Sequence, residues 1–269
     1  MEKLVRLQGI LKEIGRGAVA FSGGCDSTFL LRVAHDLLGD DVIAITALSP
    51  SMADWEREEA EQLAQLIGVK HIWVNTHEMD REEYRDNPPN RCFFCKDELF
   101  TIACQEASKM DIGVVMDGTN RDDRKDHRPG SLAAQKHSVR SPLDEAGFTK
   151  QEIRDMSKKI GLPTWDKPAI ACLASRFPYG VKISTERISK VAQCEAVLRE
   201  LDFKQFRARF HETILRIEIA PEELDRAMEP EIRKQIVQRC KAAGFLYVTL
   251  DLQGYRRGSL NEVLERANA

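Results

Sequence analysis

Residues 22–27 read Ser22-Gly23-Gly24-Cys25-Asp26-Ser27, between a short apolar run at 18–21 and a helix-like stretch at 28–38. Two glycines let the backbone approach an anion closely, and the free amides at a helix start bind phosphate with the help of the helix dipole. Ser22 and Ser27 add hydroxyl donors. Asp26 would repel a lone phosphate, so we interpret it as a ligand of Mg²⁺ that accompanies a nucleotide. The stretch therefore predicts a phosphate loop, with a plain strand-to-helix turn as the alternative.

Strand-like and helix-like segments alternate around this loop. The apolar patterns predict strands at 18–21, 42–48, 71–75 and 113–117, and helices at 28–38, 54–67, 92–108 and 149–160. Asp54 suits the N-cap of its helix and Gly68 the C-cap. This alternation is typical of βαβ units, and it predicts an α/β fold with a parallel sheet. The polar stretches 121–140 and 168–180 are predicted to be functional loops.

The pattern changes after residue 184. Helices are predicted at 185–201 and 231–243, and strands at 203–210, 213–219 and 245–250. We therefore expect two domains: 1–180, which carries the phosphate loop, and 181–269, a smaller α+β domain for substrate binding or oligomerisation. The protein is expected to be a homo-oligomer.

The bulk composition narrows the class of protein. The chain has 269 residues, 42% hydrophobic and 31% charged, with a formal net charge of −3. This is globular composition, and the slight negative net charge disfavours a nucleic-acid partner. No apolar run approaches the length of a bilayer span, and residues 1–17 form an amphipathic pattern without a signal-peptide core. A cytoplasmic location is expected.

Seven cysteines in a reducing compartment favour metal or sulfur chemistry over disulfides. Cys92 and Cys95 form a Cys-x-x-Cys pair between Arg91 and Lys96, and the neighbouring cations favour thiolate. Structural zinc is the usual alternative, but it needs four ligands and no second such pair exists. Cys172 is the natural third partner. Three thiolates suit a [4Fe-4S] cluster with one iron open to an exogenous sulfide.

Several motifs resemble those of a known superfamily. The loop at 22–27 lacks the Gly-x4-Gly-Lys-Ser/Thr pattern of a Walker A loop and instead resembles the PP-loop of ATP pyrophosphatases. Asp117-Gly118-Thr119-Asn120 also resembles that superfamily. Over nearly its whole length the chain is similar to the LarE sulfurtransferases. The further matching motifs are Arg128-Pro129-Gly130, Ser175-Arg176-Phe177-Pro178-Tyr179-Gly180, Arg207-Ala208-Arg209-Phe210-His211, Arg216-Ile217-Glu218 and Tyr247-Val248-Thr249-Leu250-Asp251-Leu252.

The resemblance implies an activity and a site. LarE proteins adenylate a carboxylate of pyridinium-3,5-dicarboxylate mononucleotide with ATP and Mg²⁺, and then replace oxygen by sulfur, on the way to the nickel-pincer cofactor of lactate racemase. The fold implied is a Rossmann-like PP-loop domain. The roles implied are nucleotide binding by Ser22, Gly23, Gly24, Asp26, Ser27 and Gly118; substrate-phosphate contacts by Ser175, Arg176 and Arg207; and acidic site positions at Glu195 and Glu218. We assign Asp26, Cys92, Cys95 and Cys172 to catalysis.

One departure from the family pattern bears on the sulfur donor. In the sacrificial branch of the family the donor cysteine lies one position before Cys172, where this chain has Ala171. That branch also lacks the pair that matches Cys92 and Cys95. The sequence therefore resembles the three-cysteine branch, in which a cluster carries the sulfur. Sacrificial use of Cys172 stays an alternative, and the sulfur source is not determined.

Three other functions compete with this hypothesis. A tRNA thiolase of the same superfamily shares the loop and can share a three-cysteine cluster. An ammonia-using ligase such as an NAD synthetase would need no cysteines. A non-catalytic metal-binding module would not need the phosphate loop.

Overall fold

A computed structural model of the chain describes residues 2–125, 130–168, 171–256 and 258–267. The chain divides into two compact units. The first is formed by Met1–Tyr84 and Pro89–Ile170, and the second by Arg85–Pro88 and Ala171–Ala269. The predicted division at residue 180, and the role given to the second domain, stay predictions.

The first unit is built on a four-stranded parallel sheet with the strand order β3-β2-β1-β4. This confirms the α/β fold and the parallel sheet expected from the alternation of segments. The elements in chain order are α1 (Glu2–Ile14), β1 (Gly17–Ala20), α2 (Cys25–Leu38), β2 (Val42–Leu48), α3 (Asp54–Ile67), β3 (Lys70–Asn75), α4 (Glu82–Arg85), α5 (Arg91–Ser108), β4 (Val115–Met116), α6 (Gly130–Lys136), α7 (Pro142–Glu145) and α8 (Lys150–Lys159).

Both faces of this sheet are covered by apolar side chains. Successive residues of a strand point to opposite faces. Val42 and Ala44 accordingly pack in one cluster with Phe29 of α2, while Ile43 and Ile45 pack in another with Phe100 of α5. A strand buried on both faces reads as a continuous apolar run, and this explains why β2 was visible in the sequence.

Two sequence predictions about this unit were wrong in part. Ala53 is the N-cap of α3 and Asp54 its first residue, where the carboxylate still faces the positive end of the helix dipole. Gly68 is the C-cap in a left-handed conformation, with φ of 85°, as expected. The supposed loop 121–140 contains α6 and a short 3-10 helix, Arg121–Lys125, because Ala133 and Ala134 bury themselves in the cluster of Phe100. Arg128 and Pro129 lie outside the described residues.

The second unit contains a three-stranded sheet with the order β5-β6-β7. Strands β5 and β6 lie within the segments predicted as strands at 203–210 and 213–219, and they form an antiparallel hairpin. Strand β7 runs parallel to β6 after a crossover through helices. Its elements are a 3-10 helix (Leu173–Arg176), α9 (Thr185–Glu200), β5 (Phe206–His211), β6 (Ile214–Ile219), α10 (Leu224–Met228), α11 (Pro230–Ala242), β7 (Tyr247–Leu250) and α12 (Glu262–Ala267).

Residues 85–88 belong to the second unit although they lie far from its other residues in the sequence. The buried side chain of Asn87 donates to the carbonyls of Pro178 and Phe177, at 2.7 and 3.3 Å. The Gly180 amide donates back to the Asn87 carbonyl at 3.0 Å, and the Ile183 amide donates to the Arg85 carbonyl at 2.8 Å. The short segment is therefore tied in by its backbone as well as by one side chain.

Along the described parts of the chain, no helix has both the length and the apolar character required to cross a membrane.

Helix α8 begins with a capping box. The Thr149 hydroxyl accepts from the Glu152 amide, and the Glu152 carboxylate accepts from the Thr149 amide at 2.8 Å. Hydrogen bonding from Lys3, together with the Thr149 amide, holds the pKa of Glu152 at about 2. The start of α8 is therefore fixed by reciprocal bonds.

We expect Thr149→Ala to lower the free energy of unfolding by about 1 kcal/mol, because it removes a helix cap. Thr185→Ala is the matched control, since Thr185 is exposed at the first position of α9 and the cap of that helix is Ser184. Urea unfolding of both variants measures the difference. Equal losses of stability would contradict the capping role.

Candidate functional site

The phosphate loop joins β1 to α2 and is braced by its own hydroxyl groups. The Ser22 amide donates to Ser27 Oγ at 3.3 Å, and the two Oγ atoms lie 3.1 Å apart. Ser27 Oγ also donates to the Gly24 carbonyl at 3.2 Å. The two serines thus hold the loop in a closed turn at the start of α2.

Two glycines permit backbone packing that a side chain would block. Gly23 has a left-handed φ of 65°, and a Cβ there would lie 3.3 Å from Ala60 of α3. A Cβ on Gly118 would lie only 2.9 Å from the Ser27 amide nitrogen. The segment after β4 therefore lies directly against the first turn of α2. The structure places Gly118 next to the phosphate loop, and its role in nucleotide binding stays a prediction.

Asp26 occupies the first turn of α2. Its Oδ2 accepts a hydrogen bond from Lys150 Nζ at 2.6 Å and one from Asn120 Nδ2 at 3.4 Å. Its Oδ1 is buried and has no hydrogen-bond partner among the described residues. Mg²⁺ binds carboxylate oxygens, and a buried oxygen without a donor is a fitting ligand for it. The residues present therefore fit the metal that the sequence analysis expected.

A pocket of about 430 Å³ opens at the carboxyl ends of β2 and β3. Because the strands are parallel, these ends share one edge of the sheet with the phosphate loop. The lining combines apolar and polar groups, among them Leu48, Ser49, Met52, Arg57, Asn75 and Thr76. Such a mixture suits a ring system that carries hydroxyl groups.

Two lysines that no motif indicated lie at the phosphate loop. Lys150 contacts Asp26, and Lys167 Nζ donates to the Gly23 carbonyl at 2.9 Å. Arg154 donates to the carbonyls of Trp165 and Lys167, at 2.8 and 2.7 Å, and so fixes the backbone from which Lys167 extends. No sequence motif indicates these lysines, because they lie more than 120 residues after the loop in helical and turn segments.

Cys92 and Cys95 lie near the N-terminus of α5, one helical turn apart. Cys92 is exposed, Cys95 is half-buried, and neither is in a disulfide. Arg91 and Lys96 flank them, and Lys96 Nζ lies 3.8 Å from Asp117 Oδ2. Two adjacent accessible thiols with cationic neighbours fit a metal or cluster as ligands.

Cys172 is half-buried and belongs to the second unit, so the three-cysteine site stays a prediction. Among the described residues the structure gathers no group of three or more His, Cys, Asp or Glu side chains at metal-binding separation. Cys25 is a core residue next to Ser157, and burial raises the pKa of its thiol.

Arg176 and Glu195 form a buried ion pair in the second unit. Both nitrogens of one edge of the guanidinium donate to the carboxylate, each at 2.8 Å. Arg176 Nη1 also donates to the Cys172 carbonyl and to Ser175 Oγ, each at 3.0 Å. The pair therefore holds the backbone of Cys172 and the hydroxyl of Ser175.

A second buried pair lies beside the first. Arg209 donates to both oxygens of Glu218, at 3.1 and 2.9 Å, and to the Ser175 carbonyl at 2.9 Å. Sequence reasoning placed Glu218 at the site but gave Arg209 no role. In the register of the hairpin Glu218 lies opposite Arg207, so its ion pair with Arg209 runs diagonally between β5 and β6.

Arg207 is also buried, so it does not belong to a solvent-facing side of β5. Burial, followed by the neighbouring charge of Arg176, lowers the pKa of its guanidinium. The guanidinium carbon lies 5.0 Å from the centre of the Tyr255 ring. Three buried arginines face two buried glutamates here, which leaves a formal charge of +1 that favours an anionic ligand.

Comparison with curated proteins gives some relatives that align over nearly the whole chain and others that align over part of it. The chain is 45% identical to an uncharacterised protein of Synechocystis sp. over 98% of both chains. It is 34% identical to the pyridinium-3,5-bisthiocarboxylic acid mononucleotide synthase of Lactiplantibacillus plantarum, over 98% of this chain and 96% of that one. A tRNA-specific 2-thiouridylase of Desulforamulus reducens is 24% identical over 57% of this chain and 53% of its own. No protein-family model matches the chain.

We expect Gly118→Ala to weaken ATP binding by at least about tenfold, because its Cβ would push the backbone of Ser27 out of place. Gly113→Ala is the matched control, since a Cβ at Gly113 meets nothing within 4 Å. Calorimetric titration with ATP measures both variants. Equal affinities in the two would show that the approach of residue 118 does not shape the nucleotide site.

Proposed function

The chain belongs to the LarE family of ATP-dependent sulfurtransferases, and from that premise we propose that it converts a carboxylate of pyridinium-3,5-dicarboxylate mononucleotide into a thiocarboxylate. The observation that carries the proposal is the near full-length similarity to a bisthiocarboxylic acid mononucleotide synthase. The phosphate loop in the first unit and the arginine-rich cluster in the second supply the two kinds of anion contact that this reaction needs.

The first step is the activation of the carboxylate. The amides and hydroxyls of residues 22–27 bind the phosphates of ATP, and the pocket beyond β2 and β3 receives the adenosine. A carboxylate oxygen attacks the α-phosphorus, the α–β bridge bond breaks, and pyrophosphate leaves with the electron pair. Asp26 would hold Mg²⁺, which supplies neutralising charge to the phosphates. The protein contributes mainly position and charge, and no side chain has to transfer a proton.

The phosphate of the mononucleotide is the second anion. We propose Ser175, Arg176 and Arg207 as its contacts. Arg176 is proposed to contribute charge and to hold Ser175 in place, since it donates to Glu195 and to Ser175 Oγ. Arg207 is proposed to contact the phosphate, because its buried guanidinium adds positive charge close to that of Arg176. Arginine suits this task because its planar donors match phosphate oxygens in pairs. Glu195 and Glu218 then fix the arginines.

The second step replaces AMP by sulfur. A sulfur nucleophile attacks the activated carbonyl carbon, the new carbon–sulfur bond forms, and the bond to the AMP oxygen breaks. Cys92, Cys95 and Cys172 would hold a [4Fe-4S] cluster, whose open iron supplies sulfide in this chemistry. The cytoplasmic location and the link to a nickel-pincer cofactor belong to the same proposal.

The substrate is tested by the release of pyrophosphate. We expect the pyridinium mononucleotide to stimulate release from ATP, and we expect Arg207→Ala to raise its KM by about tenfold or more through loss of a charge-assisted phosphate contact. Arg233→Ala, at an exposed position of α11, is the control and leaves KM unchanged. Stimulation of pyrophosphate release by tRNA alone would contradict the proposal and favour a tRNA thiolase. The chain has a weaker similarity to such a protein, the tRNA-specific 2-thiouridylase.

The sulfur carrier is tested by anaerobic purification. We expect about four irons per chain, as three thiolates and one open site require. Cys92→Ser and Cys95→Ser should lose the iron and the sulfur transfer while keeping adenylation. Cys104→Ser, at a half-buried position of the same helix, is the control that keeps both. Zinc, or full activity without metal, would remove the cluster, and loss of the Cys172 sulfur during turnover would indicate sacrificial transfer.

A further inference from the structure

The phosphate loop has no positive side chain of its own. Residues 22–27 contain one acidic side chain, Asp26, and no lysine or arginine. Walker A loops carry a lysine inside the loop that reaches the outer phosphates. Pyrophosphate leaves ATP with more negative charge than it had as part of the nucleotide. Cations for this leaving group must therefore come from elsewhere in the chain.

Two lysines supply this charge at opposite ends of the loop. Lys150 Nζ lies 2.6 Å from Asp26 Oδ2, and Lys167 Nζ lies 2.9 Å from the Gly23 carbonyl and 2.7 Å from Glu59 Oε2. The Lys167 side chain is 14% exposed and that of Lys150 34%, so solvent screens neither of them fully. Among the described residues, these are the ammonium groups that hydrogen-bond to the loop.

The backbone around each lysine is anchored. The Lys150 amide donates to Asp122 Oδ2 at 2.8 Å, and the capping box of Thr149 fixes the first turn of α8. The Lys167 carbonyl accepts a hydrogen bond from Arg154, which lies in α8 together with Lys150. A side chain that only adds surface charge does not require an anchored backbone. A side chain that must contact a ligand in a defined position does require one.

We propose that Lys150 and Lys167 are ligands of the polyphosphate and stabilise the departing pyrophosphate. The proposal rests on the ATP activation proposed above. The Lys150 ammonium has three donors and gives one of them to Asp26 Oδ2, so it can also donate to phosphate oxygens while Asp26 Oδ1 holds the metal that accompanies ATP. Lys167 reaches the same phosphates from the Gly23 side. As the α–β bridge bond breaks, the electron pair stays on pyrophosphate, and both ammonium groups stabilise it without giving up a proton.

The test is calorimetric titration of the full chain with pyrophosphate and, separately, with AMP, each in the presence of Mg²⁺. We expect Lys150→Gln and Lys167→Gln to weaken pyrophosphate binding by at least about tenfold each, and AMP binding by less than about twofold. Lys150→Arg keeps the charge and should retain part of the affinity. Lys159→Gln, at an exposed position of α8, is the matched control and should bind both ligands like the parent chain.

Two outcomes would overturn the proposal. Unchanged pyrophosphate affinity in both glutamine variants would show that the lysines do not meet the polyphosphate. Equal losses for pyrophosphate and AMP would show that they only hold the loop in shape. Neither titration needs the pyridinium substrate or sulfur, so failure of the proposed sulfur transfer gives a different pattern: pyrophosphate binding persists, but no acceptor stimulates its release.

Discussion

The close approach of Gly118 to the first turn of α2 sets the geometry of the first unit. It requires β1 and β4 to be neighbours in a parallel sheet, so that the segments after both strands meet at one edge. Asp117 is fixed behind it by the Thr119 amide at 3.1 Å and by the Ser141 hydroxyl at 2.7 Å. The amides at the front of α2 can therefore face a ligand while the far side of the turn is filled by backbone.

The second unit places charge by a different means. Its arginines lie inside the protein, and each of the two bidentate pairs offsets the cost of removing an ion from water. Glu195 serves Arg176 and also accepts from the Ala208 amide at 3.0 Å, so the carboxylate links α9 to β5. Arg207 lies between these pairs with a surplus of positive charge around it. Arg176 and Arg209 are each held by two hydrogen bonds to a carboxylate, and such positioning before a ligand binds reduces the entropy that binding must overcome.

Local sequence patterns predicted much of the fold. The strands around the phosphate loop and the strands β5 and β6 follow from apolar periodicity, and the end of α3 follows from the position of Gly68. The prediction of a loop over 121–140 was wrong in part because α6 is stabilised by packing on α5. The apolar face of α6 is too short to be recognised as a helical pattern in the sequence. The sequence motifs did not indicate Lys150, Lys167 or Arg209 for a related reason. The partner of each lysine is distant in the sequence, and the partner of Arg209 lies on the neighbouring strand. The burial of Arg207 likewise depends on tertiary packing that its neighbours in the sequence do not reveal.

Residues 85–88 give the second unit an unusual order of assembly. They leave the ribosome long before residues 178–183, whose carbonyls and amides they bind. The hydrogen bonds of Asn87 can therefore form only after residue 178 has been synthesised, when all four strands of the first unit have already been made. A fragment that begins at residue 171 would lack residues 85–88. Such a fragment would therefore not contain the whole second unit.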